Sequence, residues 1–164
     1  MYKGTNIYIN KVDFEDCFST KFTNSKDISI VELTAATFEF PNWIKALFYI
    51  RNKAVVLFGL QNDISSSGMK NLQNMHCVEG EDFGIFNVKK KTNDTIVMFA
   101  GDKHLDAIFV VERRKENNNY FVSFETIVQF NNKLGNFYFF FVKPFHKLIV
   151  YYLVNRIKTK YNNK

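Results

Sequence analysis

The sequence predicts an α+β fold: a curved antiparallel sheet wrapped around a long C-terminal helix, with two shorter helices after the first strand. Three observations carry this reading. Residues from about 83 to 130 alternate apolar and polar side chains between short turn sequences, the pattern of an antiparallel meander. Beyond Asn131 the alternation gives way to a long, aromatic-rich helical stretch that reaches roughly Lys160. A sheet of this kind has to bury its apolar face, and that final helix is the cover available.

Each element follows from local chemistry. Residues 13–22 place Phe14, Phe18 and Phe22 on one parity, as a first strand would. Ser25-Lys26-Asp27 breaks it, and Ser29 to Phe38 reads as a short helix. Pro41 is placed to open a second helix from about Asn42 to Phe58, which Gly59 ends. Residues 61–82 are polar and poorly periodic, a long loop with a short strand near Met75 to Val78. Strands are then expected at about 83–91, 94–100, 104–113 and 120–130. Their breaks are Thr92-Asn93-Asp94, Gly101-Asp102 and Asn117-Asn118-Asn119. In the last strand Tyr120, Val122, Phe124, Thr126, Val128 and Phe130 share one face, while Ser123, Glu125 and Gln129 form a wet one. Leu134-Gly135 permits a tight entry into the C-terminal helix. Pro144 inside it demands a kink or a fresh helix start. The order is the helix-grip arrangement, in which a cavity commonly lies between sheet and helix. No repeat or boundary divides the chain, so residues 1–164 read as one domain with its core at about 13–157 and a basic tail at 158–164.

Composition narrows the class. The chain has 164 residues, 46% of them hydrophobic, enough for a core without disulfides or metals. That excludes a disordered chain and a small cystine scaffold. The 19 Phe and 8 Tyr against one Trp and two Pro fill space with large flat side chains. A net charge of +6 would permit an anionic partner. The basic residues are scattered, however, and Lys89-Lys90-Lys91 reads as a hairpin tip. No element interleaves basic and aromatic residues as a nucleic-acid surface does, so the charge is expected to be a solvated one and no nucleic acid is expected. The N-terminal residues lack the apolar core of a signal peptide. Lys143, His146 and Lys147 interrupt the most apolar stretch, Leu134 to Val154, and argue against a membrane span. Cys17 and Cys77 have no CxxC spacing, and reduced thiols in a cytoplasmic protein are expected.

Several runs carry a resemblance. Trp43…Leu47-Phe48…Arg51…Phe58-Gly59-Leu60, Gly84-Ile85-Phe86, Asp102-Lys103-His104-Leu105-Asp106, and Leu134-Gly135…Tyr138…Pro144-Phe145-His146-Lys147-Leu148-Ile149-Val150 resemble an uncharacterised bacterial domain family. That family looks like part of the START-like, pollen-allergen-like helix-grip superfamily. The likeness spans about residues 13 to 157. It implies a fold more than an activity: superfamily members bind lipids, sterols or other apolar molecules, and some are cyclases, hydrolases or dioxygenase subunits. Members of this family also look like a domain attached to nucleotide-binding oxidoreductases. The seven glycines here never approach G-x-G-x-x-G, so a stand-alone copy is expected.

Among residues that could carry chemistry, Arg51 stands out. On a helical wheel it lies at the centre of the stripe formed by Ile44, Leu47, Phe48, Ala54, Val55 and Phe58. A core-facing guanidinium needs a carboxylate, carbonyls or an anionic ligand, and Asp102 or Asp106 are the natural partners. Asp102, His104 and Asp106 alternate, as an acid–base cluster or metal ligands on one strand face would. Leu105, Ala107, Phe109 and Val111 form a cleaner inward set, which would send His104 and Asp106 outward, but Ile108 and Val110 share the face of His104 and Asp106, so parity leaves the choice open. Asp102 beside Gly101 reads as a turn residue. His146 flanks the apolar arc of the last helix and could meet His104 across the sheet–helix gap. Trp43, Phe48 and the Phe137–Phe141 run, with Tyr138 in it, could line a pocket or simply fill the core. His76-Cys77 lacks a second ligand pair, so no zinc or other metal is expected, and no cofactor.

These residues support one leading reading: a small apolar or amphipathic ligand in the sheet–helix cavity, contacted by Arg51, Trp43, Phe48, His104, Asp106, Tyr138 and His146. One alternative is a cyclase- or hydrolase-like enzyme in which His104, His146 or Asp106 does acid–base work and Arg51 stabilises an anion. The other is an interaction or structural module without a ligand, for which a homodimer would be the natural form.

Overall fold

A computed structural model describes residues 8–57 and 76–162 of the chain. The order is β1 (Phe14–Thr23), α1 (Ile30–Thr37), α2 (Asn42–Leu57), β2 (Asp82–Phe83), β3 (Phe86–Lys91), β4 (Thr95–Gly101), β5 (Leu105–Glu116), β6 (Asn119–Phe130) and α3 (Lys133–Tyr161). The fold is α+β, with a curved six-stranded antiparallel sheet wrapped on α3 and two shorter helices after β1. Strand order is β1-β6-β5-β4-β3-β2, so successive hairpins build the sheet and β1 joins at the far side of β6. Gly59, the loop expected from residue 61 and the start of a strand near Met75 lie outside the described residues, as do the side chains of Ala54, Val55 and Phe58.

Register decides what faces the helix. Phe14, Asp16 and Phe18 of β1 pair with Val128, Thr126 and Phe124 of β6. Val128, Thr126 and Phe124 pair in turn with Ala107, Phe109 and Val111 of β5. All of these project to the side of α3, which packs most closely on β1 and β6. Of the two faces the β5 sequence left open, the one carrying Ala107, Phe109 and Val111 is therefore the inward one. Phe22, Phe38, Tyr120 and Phe124 join Val150, Val154 and Ile157 of α3 in the main core. Burying one such side chain contributes roughly 1.5–3 kcal/mol.

The outer face is drier than the alternation of β6 implied. Ile9 lies over Val97, Ile108, Val110 and Ile127 in a second, small core. Gln129 Oε1 accepts from the backbone N–H groups of Asn10 and Lys11 and holds that segment down. Polar residues at alternate positions of β6 do not by themselves show that a second layer is absent.

Three local expectations are corrected. The strand expected at 83–91 is two, because Gly84 adopts a positive φ of 62° between Phe83 and Phe86. Lys89-Lys90-Lys91 belong to β3, with a bulge after Val88, and the hairpin tip is Thr92-Asn93-Asp94. Pro144 starts no new helix: α3 runs unbroken for 29 residues. The carbonyl that Pro144 leaves unpaired is that of Phe140, and both residues are exposed, so water can satisfy it. At the N-terminus of α1, Ser29 and Glu32 form a reciprocal capping box.

Candidate functional site

The polar residues of the DKHLD run gather at the N-terminus of α3. Asp102 Oδ1 accepts from the N–H groups of His104 (2.6 Å) and Leu105 (3.0 Å), which makes it a turn residue as expected. His104 precedes β5 and so escapes the strand's alternation. It is buried rather than turned outward. Its Nδ1 lies 3.2 Å from Asn132 Nδ2, and Asn132 caps α3 through Gly135 N–H. The carbonyls of Asp102, Lys103 and His104 accept from Asn131 Nδ2, Asn132 Nδ2 and Asn131 N–H respectively. Asp106 Oδ2 accepts from Asn131 Nδ2 at 3.0 Å. The turn is thus a clasp on the helix start, which explains why these residue types occur there.

Arg51 reaches the same end of α3 by another route. Its Nε donates to the Tyr138 hydroxyl at 2.6 Å, with the guanidinium 5.5 Å from the ring centroid. A phenol is thus among its partners, where the sequence pointed to Asp102 or Asp106. Burial pushes the Tyr138 phenol up from its ordinary pKa, with Asp102 adding to the rise and Arg51 opposing it. The phenol stays protonated at neutral pH and accepts from arginine while keeping its own proton.

His146 stands elsewhere. It faces β1, with Nε2 3.3 Å from Asp16 Oδ1, and both side chains are nearly buried (14% and 10% exposed). It cannot pair with His104: about eleven residues of helix, roughly 16 Å, separate it from Gly135 at the clasp. Rings surround it, with Phe14 6.1 Å and Phe139 6.4 Å away. Asp16 Oδ2 and Thr126 Oγ1 are buried without a hydrogen-bond partner among the described residues, and Asp16 and Thr126 are opposite each other in register. A carboxylate, a hydroxyl and an imidazole therefore converge in an aromatic interior. Asp16 and Thr126 were not among the residues singled out from sequence. The available signal was parity, since Asp16 alternates with Phe14 and Phe18, and Thr126 with Phe124 and Val128.

Of the aromatic candidates, Phe48 packs on Phe40 at 5.3 Å and Trp43 on Tyr152 at 5.1 Å. A cleft of about 460 Å³ opens between α1, the turn after it and α3, lined by Ala35, Glu39, Phe40, Pro41 and Arg156. Glu39 pairs there with Arg156 and Lys160. From this cleft ring contacts run inward through Phe40, Phe38, Phe124 and Phe109, and Phe109 is the register partner of Thr126.

The cysteines are free, Cys17 exposed and Cys77 buried. Burial pushes the Cys77 thiol up to about 11, with Glu81 adding to it. Near neutral pH, iodoacetamide should alkylate Cys17 in the native protein and Cys77 only after unfolding. Peptide mass mapping would check this, and equal native labelling would contradict the burial.

A family model described as "Protein of unknown function (DUF2867)" matches residues 8–153. No curated protein and no solved structure matches the chain at a significant level.

Proposed function

The chain belongs to the DUF2867 family of proteins of unknown function, and from that premise we propose that it binds a small amphipathic molecule between sheet and helix, as START-like helix-grip domains do. The observation that carries the reading is the pair of unpartnered buried oxygens, Asp16 Oδ2 and Thr126 Oγ1, beside His146. A buried carboxylate oxygen without a donor is costly. A hydroxyl or amine at the polar end of an apolar ligand would supply that donor, and the surrounding phenylalanines would take the apolar body. A ligand entering at the cleft beside Phe40 and Arg156 would have to part the packed rings of Phe40, Phe38 and Phe124 to reach Asp16 and Thr126.

The enzyme reading draws less support. Arg51 is held at Tyr138, eight residues and about 12 Å along the helix from His146. Joint acid–base work needs groups within hydrogen-bond reach.

A thermal-shift panel of apolar compounds matched in length but ending in alcohol, amine, carboxylate or methyl tests the proposal. Alcohols and amines should raise the melting temperature, whereas carboxylates, repelled by Asp16, and plain hydrocarbons should not. Thr126→Val should leave the unliganded protein as stable as before, or more stable by about 1 kcal/mol, because it removes an unpaired buried hydroxyl. The same change should weaken the alcohol response. A panel without discrimination, or a Thr126→Val variant that loses stability yet responds fully, would sink the reading.

A further inference from the structure

Helices α2 and α3 contain no Asp or Glu. Every charged side chain along them is Lys or Arg, and all 16 acidic residues of the chain lie elsewhere. Along these two helices the charge that looks scattered in the sequence is thus of one sign, and the carboxylate that meets it is Glu39, from the turn after α1, at Arg156 and Lys160. The same layer exposes large apolar side chains. Phe137, Phe141, Phe145, Leu148 and Tyr152, spaced four, four, three and four residues, form a stripe nearly opposite the face of α3 that meets the sheet. Phe140 beside it is 72% exposed. Tyr152 meets Trp43, so the surface continues onto α2, where Ile50 is also exposed. By length and composition α3 could cross a membrane, yet only 22% of its most apolar stretch is buried in the protein.

We propose that the α2–α3 face lies on an anionic lipid surface, its aromatic stripe at the headgroup level and its lysines on the phosphates. A helix wrapped by its own sheet cannot span a bilayer without leaving that sheet, but it can lie in the interface plane. Aromatic side chains favour that depth, and each lysine near an anionic surface adds to the attraction. Lys45 and Lys53 of α2 and Lys147 and Lys158 of α3 are all exposed, with Lys147 reaching toward the Phe14 ring at the side of the helix. A second copy is the poorer occupant. A two-fold pairing of this face would set cations against cations with no carboxylate on either helix to compensate. The proposal is independent of the interior ligand, since the stripe and the Asp16–Thr126 pair are on opposite faces of α3.

Co-sedimentation with vesicles of phosphatidylcholine alone, and of phosphatidylcholine with phosphatidylglycerol, tests it. The protein should partition into the anionic vesicles and weaken with added salt, and emission from its single tryptophan, Trp43, should shift to the blue on binding. The Phe141→Ser, Phe145→Ser, Leu148→Ser triple variant alters exposed positions, and it should bind roughly tenfold or more weakly with an unchanged circular dichroism spectrum. Lys147→Glu with Lys158→Glu should lose the preference for anionic vesicles. No partition into anionic vesicles, or equal partition into both, overturns the proposal. A dimer that the triple variant dissolves would assign the face to a second copy and overturn it as well.

Discussion

Replacing Gly135 by alanine should cost the fold about 3 kcal/mol, although alanine is the better helix former by roughly 1 kcal/mol. A Cβ at this position would meet the carbonyl oxygen and carbon of His104, both closer than 3.0 Å. These are backbone atoms, and they cannot swing aside. His104 carbonyl is itself tied to Asn131 N–H, and Gly135 N–H to Asn132 Oδ1, so the clash would lever the helix start off the turn that clasps it. Gly101→Ala is the control. Its Cβ would also be crowded, but by the Asp106 carboxylate and the Phe99 ring, which are side chains. A loss of about 1 kcal/mol is expected there. Urea unfolding of both variants measures the difference, and equal losses would show that the clasp yields as easily as a side chain.

Arg113→Met should destabilise by about 2–3 kcal/mol, and Asp94→Asn by well under half of that. The Arg113 side chain is 12% exposed, and its partner Asp94 is 59% exposed. An ion pair with so wet an anion contributes little by itself. The larger loss lies in the carbonyls of Ile28 (2.6 Å) and Asn93 (3.1 Å), to which the guanidinium also donates. Tyr120 completes this latch: its hydroxyl accepts from Ile28 N–H and donates to the Lys26 carbonyl. Arg113→Lys should recover only part of the loss, because an ammonium cannot reproduce the fork. Denaturant midpoints decide the ranking, and an Asp94→Asn loss equal to that of Arg113→Met would reverse it.

The two arginines show what the sequence could and could not tell. Arg51 drew attention because it interrupts a helical apolar stripe, a local pattern. Arg113 sits near the end of a strand, and its partners come from the β3–β4 turn and from the segment before α1, which only tertiary pairing brings together. Strands and helices were legible because turn residues and periodicity are local. The division of 83–91 was not, since the positive φ at Gly84 leaves no trace in the alternation. At the site, His146 was identifiable as a half-buried imidazole, but its partner was sought in His104, which shares its chemistry, and not in Asp16, which shares its side of the sheet. The DKHLD run was visible as a cluster of functional groups. That three of its carbonyls hold a helix start could not be read from side-chain types.

The position of β1 beside β6 bears on how the chain folds as it is made. Every other strand meets its neighbour as soon as the next hairpin emerges, but Thr23 must wait for Asn119, and Phe14 for Val128. At a synthesis rate of about 5–20 residues per second, that wait is roughly 5 to 20 seconds. For all that time Phe14, Phe18 and Phe22 have no sheet to join, and a strand with an aromatic face and open backbone is a template for other chains. Closing the sheet across so long a stretch of sequence is also slow once the partner exists. The interval between the synthesis of β1 and that of β6 is therefore the most aggregation-prone, and a chaperone's demand would fall on β1.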